Sequence, residues 1–217
     1  VSDGSRRRPF LVAGLIVLVA AALAGALLLG SVLTRPDTPA ADSVDAGFSR
    51  DMRAHHSQAV QMSFLVREAT DDADVDQLAL DILLTQQQQV GQMYSWLEQW
   101  GLPQSSSADR MAWMGHSSDM DMGGGEMSAM PGGMPGMASN ADLQALEGAR
   151  GERASRIFLQ LMIPHHEAGV EMADYAVEHA ETEQVRQLAE SISVAQQSEL
   201  TVLNDLLDER GGPVTLS

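Results

Sequence analysis

Four histidines stand in two adjacent pairs, His55-His56 and His165-His166, and each pair sits in the same frame, Met-x2-His-His-x5-Met. The first copy comprises Met52, His55, His56 and Met62, and the second Met162, His165, His166 and Met172. On a helix, residues three and four apart share a face, so Met52 neighbours both His55 and His56. Imidazole with thioether and no thiolate suits a soft ion such as Cu(I) or Ag(I) better than magnesium or calcium, which take oxygen ligands. Zinc stays open through the histidines alone. Adjacent helical residues point about 100° apart, so one pair does not grip one ion by itself. Two copies facing each other in a bundle interior would. The plain alternative is packing: methionine at helical spacing fills cores, and a histidine on an apolar face finds a hydrogen bond. Two identical arrays favour ligation over that alternative.

A second group of soft ligands lies between the copies. Residues 104–141 are rich in Gly, Ser and Pro, yet hold eight of the thirteen methionines. These are Met111, Met114, Met120, Met122, Met127, Met130, Met134 and Met137, with His116 among them. Such composition is expected to stay mobile and unpacked. A solvated loop has no packing reason to collect an apolar side chain, so Met111, Met114, His116, Met120 and Met122 are read as soft-metal capture ligands.

The rest of the composition narrows the chemistry. There is no cysteine, which removes disulfides, thiolate zinc sites and iron–sulfur clusters. Thirty acidic residues face thirteen basic ones, all Arg, for a formal charge of −17. Nucleic acid is excluded as a partner, because its phosphates would be repelled. Hydrolase and phosphate-loop motifs are absent, and the expectation is a protein without catalytic turnover. A carboxylate-bridged di-iron oxidase needs Glu-x-x-His on facing helices, and no histidine here has Glu three positions before it. Glu68, Glu178, Glu167 and Glu171 could still supply oxygen ligands to such a site.

These residues need a scaffold, and the chain supplies it twice. Phe48, Met52, His55, His56, Val60 and Met62 recur 110 residues later as Phe158, Met162, His165, His166, Val170 and Met172. The match runs on without a gap through Leu78/Leu188, Ile82/Ile192 and Leu97/Leu207 to Gly101/Gly211 and Pro103/Pro213. Each unit reads as helix, turn, helix, with apolar residues at three-to-four spacing and Gly-x-Pro as the stop. Thr70-Asp71-Asp72 and Thr182 stand where caps are needed, and Ser139 or Asn140 precedes the second unit. Pro164 marks either a first helical turn or a kink. Neither hairpin hides its stripe alone, so the fold class is all-α: a four-helix bundle of two duplicated hairpins. Their ranges are 43–103 and 142–212, with 104–141 inserted.

Ahead of the bundle, an uncharged run of 24 residues from Phe10 to Leu33 follows Arg6, Arg7 and Arg8. As a helix it would span about 36 Å, against a hydrocarbon core of about 30 Å. Residues 1–9 are therefore expected as a basic cytoplasmic stub, 10–33 as a transmembrane helix and 34–42 as a linker, with the bundle outside. Thr38-Pro39-Ala40 is a weak cleavage site whose use would make the product secreted.

The second motif, Phe158-x3-Met162-Ile-Pro-His165-His166-x2-Gly169-Val170-x-Met172-Ala173, resembles the signature of domain-of-unknown-function family 305, which includes CopM-like copper proteins of the bacterial envelope. The resemblance covers residues 43–212 apart from the insert, and Arg53-Ala54 departs where the family tends to have Ile-Pro. It implies a ferritin-like bundle, copper binding, and ligand roles for the eight Met and His residues of the two motifs. The expected function is a membrane-tethered, extracytoplasmic protein of the plasma membrane that sequesters or delivers copper, Cu(I) foremost, with zinc or iron as lesser candidates. The partners expected are the metal, the bilayer and an envelope metal-transfer protein or a second copy. The rival readings are a helical interaction module of the envelope and the di-iron oxidase. Affinity is expected to fall as pH drops through about 6.5, the ordinary imidazole value.

Overall fold

The computed structural model describes Leu23 and residues 38–115 and 133–216, and among these the chain is helical with no strand. The bundle lies in the unit Pro39–Ser217. Helix α1 is Val44–Arg67, capped by Ser43, whose hydroxyl accepts from the Ala46 amide. Helix α2 is Ala73–Gln99, and the Asp72 carboxylate accepts from the Asp74 and Val75 amides at its start. A short α3, Asn140–Gly148, opens on a reciprocal capping box between Ser139 and Asp142. Helices α4, Gly151–His179, and α5, Glu183–Glu209, form the second hairpin. Gly101 and Gly211 close α2 and α5 at φ 67° and 85°, the left-handed conformation that a residue without Cβ adopts most cheaply. The Thr182 side chain makes no cap bond to its own helix. It donates instead to Asp45.

Two local features depart from the sequence reading. The second unit does not open with one continuous helix: Arg150 is extended, and Gly151 restarts the chain at φ 57°. The Gly151 amide donates to the Ala69 carbonyl at 2.7 Å, pinning the start of α4 to the end of α1. Pro164 lies well inside α4, so it marks no first turn.

The duplication is visible in the packing. The buried face of α2 carries Val75, Ala79, Ile82, Gln86, Gln89, Met93 and Leu97. Adding 110 to each gives Val185, Ala189, Ile192, Gln196, Glu199, Leu203 and Leu207 on α5, all buried except Glu199, which is partly exposed. Each stripe is thus apolar at both ends and polar in the middle. Buried Asp45, near the start of α1, accepts from the Glu181 and Thr182 amides at the α4–α5 turn. At the opposite end, Thr70 pairs with Ser155 of α4 at 2.6 Å. Helices α1 and α4 therefore run antiparallel, related by a pseudo-two-fold axis. Apolar clusters on either side of it are anchored by the fully buried Phe48 and Phe158, each worth about 1.5–3 kcal/mol of burial.

The expectation of an unpacked insert is corrected at both of its described arms. Met111 and Met134 are buried in the apolar cluster around Phe48. Buried Asp51 on α1 holds the first arm, accepting from the Arg110 side chain, the Met111 amide and the Trp113 indole. Methionine anchors outweigh the Gly/Pro composition because each removes a large apolar surface from water. No helix among the described residues is long and apolar enough to cross a membrane. The stub at 1–9, most of the 10–33 span and part of the linker lie outside them, with Leu23 alone described there, in helical conformation.

Candidate metal centre

The two motifs meet at the pseudo-two-fold axis. His55 and His165 stack with 3.7 Å between ring centroids and 28° between planes. His56 and His166 flank them, with ring centroids 6.4 and 6.3 Å from their neighbours. All four are fully buried, as are Met52, Met62, Met162 and Met172. The antiparallel arrangement crosses the copies: Met52 and Met172 fall in one apolar cluster, Met62 and Met162 in the other. Each end of the histidine core is thereby bounded by one thioether from each motif.

The outer nitrogens are held and the inner ones are not. His56 Nε2 meets Gln89 Oε1 at 2.8 Å, and His166 Nε2 meets Glu199 Oε2 at 2.7 Å. Both nitrogens of His55, both of His165, and Nδ1 of His56 and His166 are buried without a hydrogen-bond partner, as are the side-chain amides of Gln86 and Gln196. An orphaned buried polar atom costs about 1–3 kcal/mol. Six of them on four touching rings is a heavy burden for a bundle that leucine would fill better. The donor set fits an ion that takes imidazole and thioether. Among the described residues, no three His, Asp or Glu side chains form a closed ligand group.

Burial also keeps His55, His56 and His165 neutral. Desolvation pushes His55 and His165 well below the ordinary imidazole range, reinforced by the neighbouring histidines. The backbone at Pro135 opposes the shift at His55 without reaching hydrogen-bond geometry to its ring. His56 is lowered to about 3, again by desolvation, with the Gln89 bond opposing it. A neutral imidazole has its lone pair free for a metal, so proton competition, expected near 6.5, moves to lower pH.

The remaining predicted ligands divide. Met111 packs in the Met52/Met172 cluster, with Met114 half-buried against it. Met111 is the one non-glycine residue at positive φ among those described, at 63°. Its backbone N–H donates to the Asp51 carboxylate, which helps hold it there. His116, Met120, Met122, Met127 and Met130 lie outside the described residues. The structure adds Met93, Met134 and Met137 to the same cluster. It also brings in Gln89 and Glu199, which sequence reasoning passed over. The signal for that pair was polar residues on a buried stripe at offset-equivalent positions. The acids that a di-iron site would need, Glu68, Glu167, Glu171 and Glu178, are all exposed.

Residues 45–207 match the family model described as Domain of unknown function (DUF305). The chain belongs to this family. A DUF305 protein from Streptomyces coelicolor is 44% identical with a TM-score of 0.72, covering 81% of this chain and 99% of its own. A DUF305 fragment from Deinococcus radiodurans is 30% identical with a TM-score of 0.62, over 81% of this chain and 99% of its own. CopM, solved with Cu(I) bound, shares the fold at a TM-score of 0.58 and 22% identity, over 77% of this chain and 98% of its own. CopM has also been solved in Cu(II)-bound and Ag-bound forms. Among curated proteins, an uncharacterised protein of Acanthamoeba polyphaga mimivirus is 38% identical over 53 residues, so the match spans 35% of that protein and 24% of this chain. The DUF305 fold of this chain thus carries its paired histidines in the centre of the bundle.

Proposed function

We propose that this DUF305 protein binds copper, Cu(I) foremost, and sequesters it or hands it on without catalytic turnover. The observation that carries this reading is the set of six unpartnered ring nitrogens on four fully buried histidines, bounded by thioethers. Nothing in the packing of the bundle requires those nitrogens, whereas a soft ion would satisfy them. The metal-bound forms of the structural neighbour CopM support the same reading. The Arg-flanked apolar run at residues 10–33 supports a tether that places the bundle outside the cytoplasm. The described insert methionines would extend the thioether supply next to Met52 and Met172.

The test is an anaerobic Cu(I) titration of the full chain in detergent against a chromophoric chelator, alongside the variant with His55, His56, His165 and His166 all changed to Ala. Sub-micromolar binding by the unaltered protein, lost in the variant with helicity retained, is the expected result. Binding that persists in the variant overturns the histidine site and leaves the thioethers alone as ligands. No binding by either protein overturns the copper reading.

A further inference from the structure

The two halves of the histidine core match in backbone and differ in one atom type. His56 and His166 are equivalent under the 110-residue offset, and so are their partners Gln89 and Glu199. His56 Nε2 meets an amide oxygen at 2.8 Å, and His166 Nε2 meets a carboxylate oxygen at 2.7 Å. An amide can turn to offer either its oxygen or its NH2 group, so Gln89 tolerates either tautomer of His56. An ionised carboxylate can only accept, so beside Glu199 the neutral form of His166 carries its proton on Nε2 and leaves Nδ1 bare. That Nδ1 is one of the buried atoms without a partner.

Charge separates the halves further. Among the described residues, Glu199 is the only carboxylate hydrogen-bonded to the histidine core, and its side chain is 22% exposed. A cation taken into a buried site of neutral imidazoles, amides and thioethers lacks a counter-charge unless an anion lies close by. The His166 half has one, and the His56 half has an amide in its place.

We propose that Glu199 and Gln89 are positioning residues that make the two halves of the core unequal. Glu199 presets His166 for ligation through Nδ1 and supplies the counter-charge, so the first monovalent soft ion loads on the His166 half. Gln89 leaves the His56 half less prepared and uncompensated, so any second ion binds more weakly. Carboxylate–imidazole–metal relays of this kind raise ligand basicity, and removing the outer partner costs about 10- to 100-fold in metal affinity. This inference rests on the metal-binding reading above, but its tautomer half stands on the metal-free protein.

The test uses the full chain labelled with 15N-histidine, in detergent, with Ag(I) as the probe. In the metal-free protein, imidazole 15N shifts are expected to show His166 with its proton on Nε2 only, and Glu199→Gln is expected to introduce the second tautomer. In stepwise Ag(I) titration, Glu199→Gln should weaken the first step about 10- to 100-fold, while Gln89→Glu should strengthen the second by a similar factor. Both substitutions are close to isosteric, and the circular dichroism of each variant checks the fold. An unchanged tautomer and an unchanged first step in Glu199→Gln overturn the proposal. If the unaltered protein takes up no Ag(I), the metal reading and the loading order fall together, and the 15N shifts alone decide whether Glu199 sets the tautomer.

Discussion

His55 and His165 stack face to face at 3.7 Å in the middle of the bundle, fully buried, with no hydrogen bond to any of their four ring nitrogens. The contact joins equivalent positions of the two motif copies, so its surroundings are nearly the same on both sides. Two neutral imidazoles can sit this close. Two imidazolium ions could not do so without a large repulsive cost in a dry interior.

The first prediction follows from that neutrality. The ordinary imidazole value is 6.5, and in the folded chain His56 is lowered to about 3, with His55 and His165 also well below their ordinary range. Between the unfolded and folded values the unfolded chain binds more protons, so stability rises with pH there and is lost as pH falls below 6.5. At about 1.4 kcal/mol per pH unit, His56 contributes a loss of roughly 2 kcal/mol by pH 5, and the stacked pair acts in the same direction, coupled to it rather than additive. Urea unfolding of the metal-free protein at pH 7, 6 and 5 should show the decline, and His56→Leu should flatten it. Asp72, held below its ordinary 3.8 chiefly by its hydrogen bonds to Arg210, adds a separate loss only at more acidic pH. An unfolding midpoint constant from pH 7 to 5 would contradict the buried neutral histidines.

Replacing the stacked pair by leucine separates a metal site from a structural polar cluster. His55→Leu with His165→Leu removes four orphaned nitrogens and keeps an apolar filling. Such a swap is expected to stabilise the metal-free protein by about 1–3 kcal/mol while abolishing Cu(I) binding. An interaction module that uses the histidines as structural glue would show the reverse: loss of stability and no change in metal uptake. Urea midpoints and the Cu(I) titration together read both outcomes.

The thioethers have their own test. Met52 and Met172 are fully buried in one cluster, and Met→Leu conserves volume closely enough to cost under about 1.5 kcal/mol. The double variant Met52→Leu, Met172→Leu is expected to weaken Cu(I) on the order of tenfold, about 1.4 kcal/mol, while zinc, which needs only the imidazoles, is unaffected. Equal weakening of both metals in competition titrations would point to disturbed packing instead of lost sulfur ligands.

Much of this architecture was legible because it was written twice. The 110-residue offset exposed the paired hairpins and the Gly101 and Gly211 stops, while residue type marked the caps within Thr70-Asp71-Asp72 and at Ser139 or Asn140. Pseudo-two-fold packing also brought the His55/His56 pair towards the His165/His166 pair, while the stacking of His55 on His165 came from the structure. The partners of His56 and His166 were harder to see. Gln89 and Glu199 lie 33 residues along the chain on other helices, and polar residues in a stripe read as solvated until tertiary packing buries them. The insert misled in another way, because it is rich in Gly, Ser and Pro. Met111 and Met134 nevertheless find an apolar cluster that only the folded bundle provides. The break at Arg150–Gly151 depends on the Ala69 carbonyl, a contact with no local signal.

The second arm of the insert sits directly against the motif of α4. A Cβ added to Gly136, itself at φ 72°, would come within 2.3 Å of the Pro164 carbonyl oxygen, one residue before His165. The backbone at Pro135 is close enough to His55 to affect its protonation. An ion held among these histidines would lie beneath Met134–Gly136 and would leave at the frequency with which that segment lifts. Its residence time would then be independent of how strongly the surroundings compete for it. Stopped-flow removal of bound Cu(I) by an external chelator should be first order, with a rate that levels off as chelator concentration rises. Gly136→Ala, which cannot seat the arm, should raise that plateau. A rate that climbs in proportion to chelator without limit would mean that the chelator reaches the ion in the closed protein.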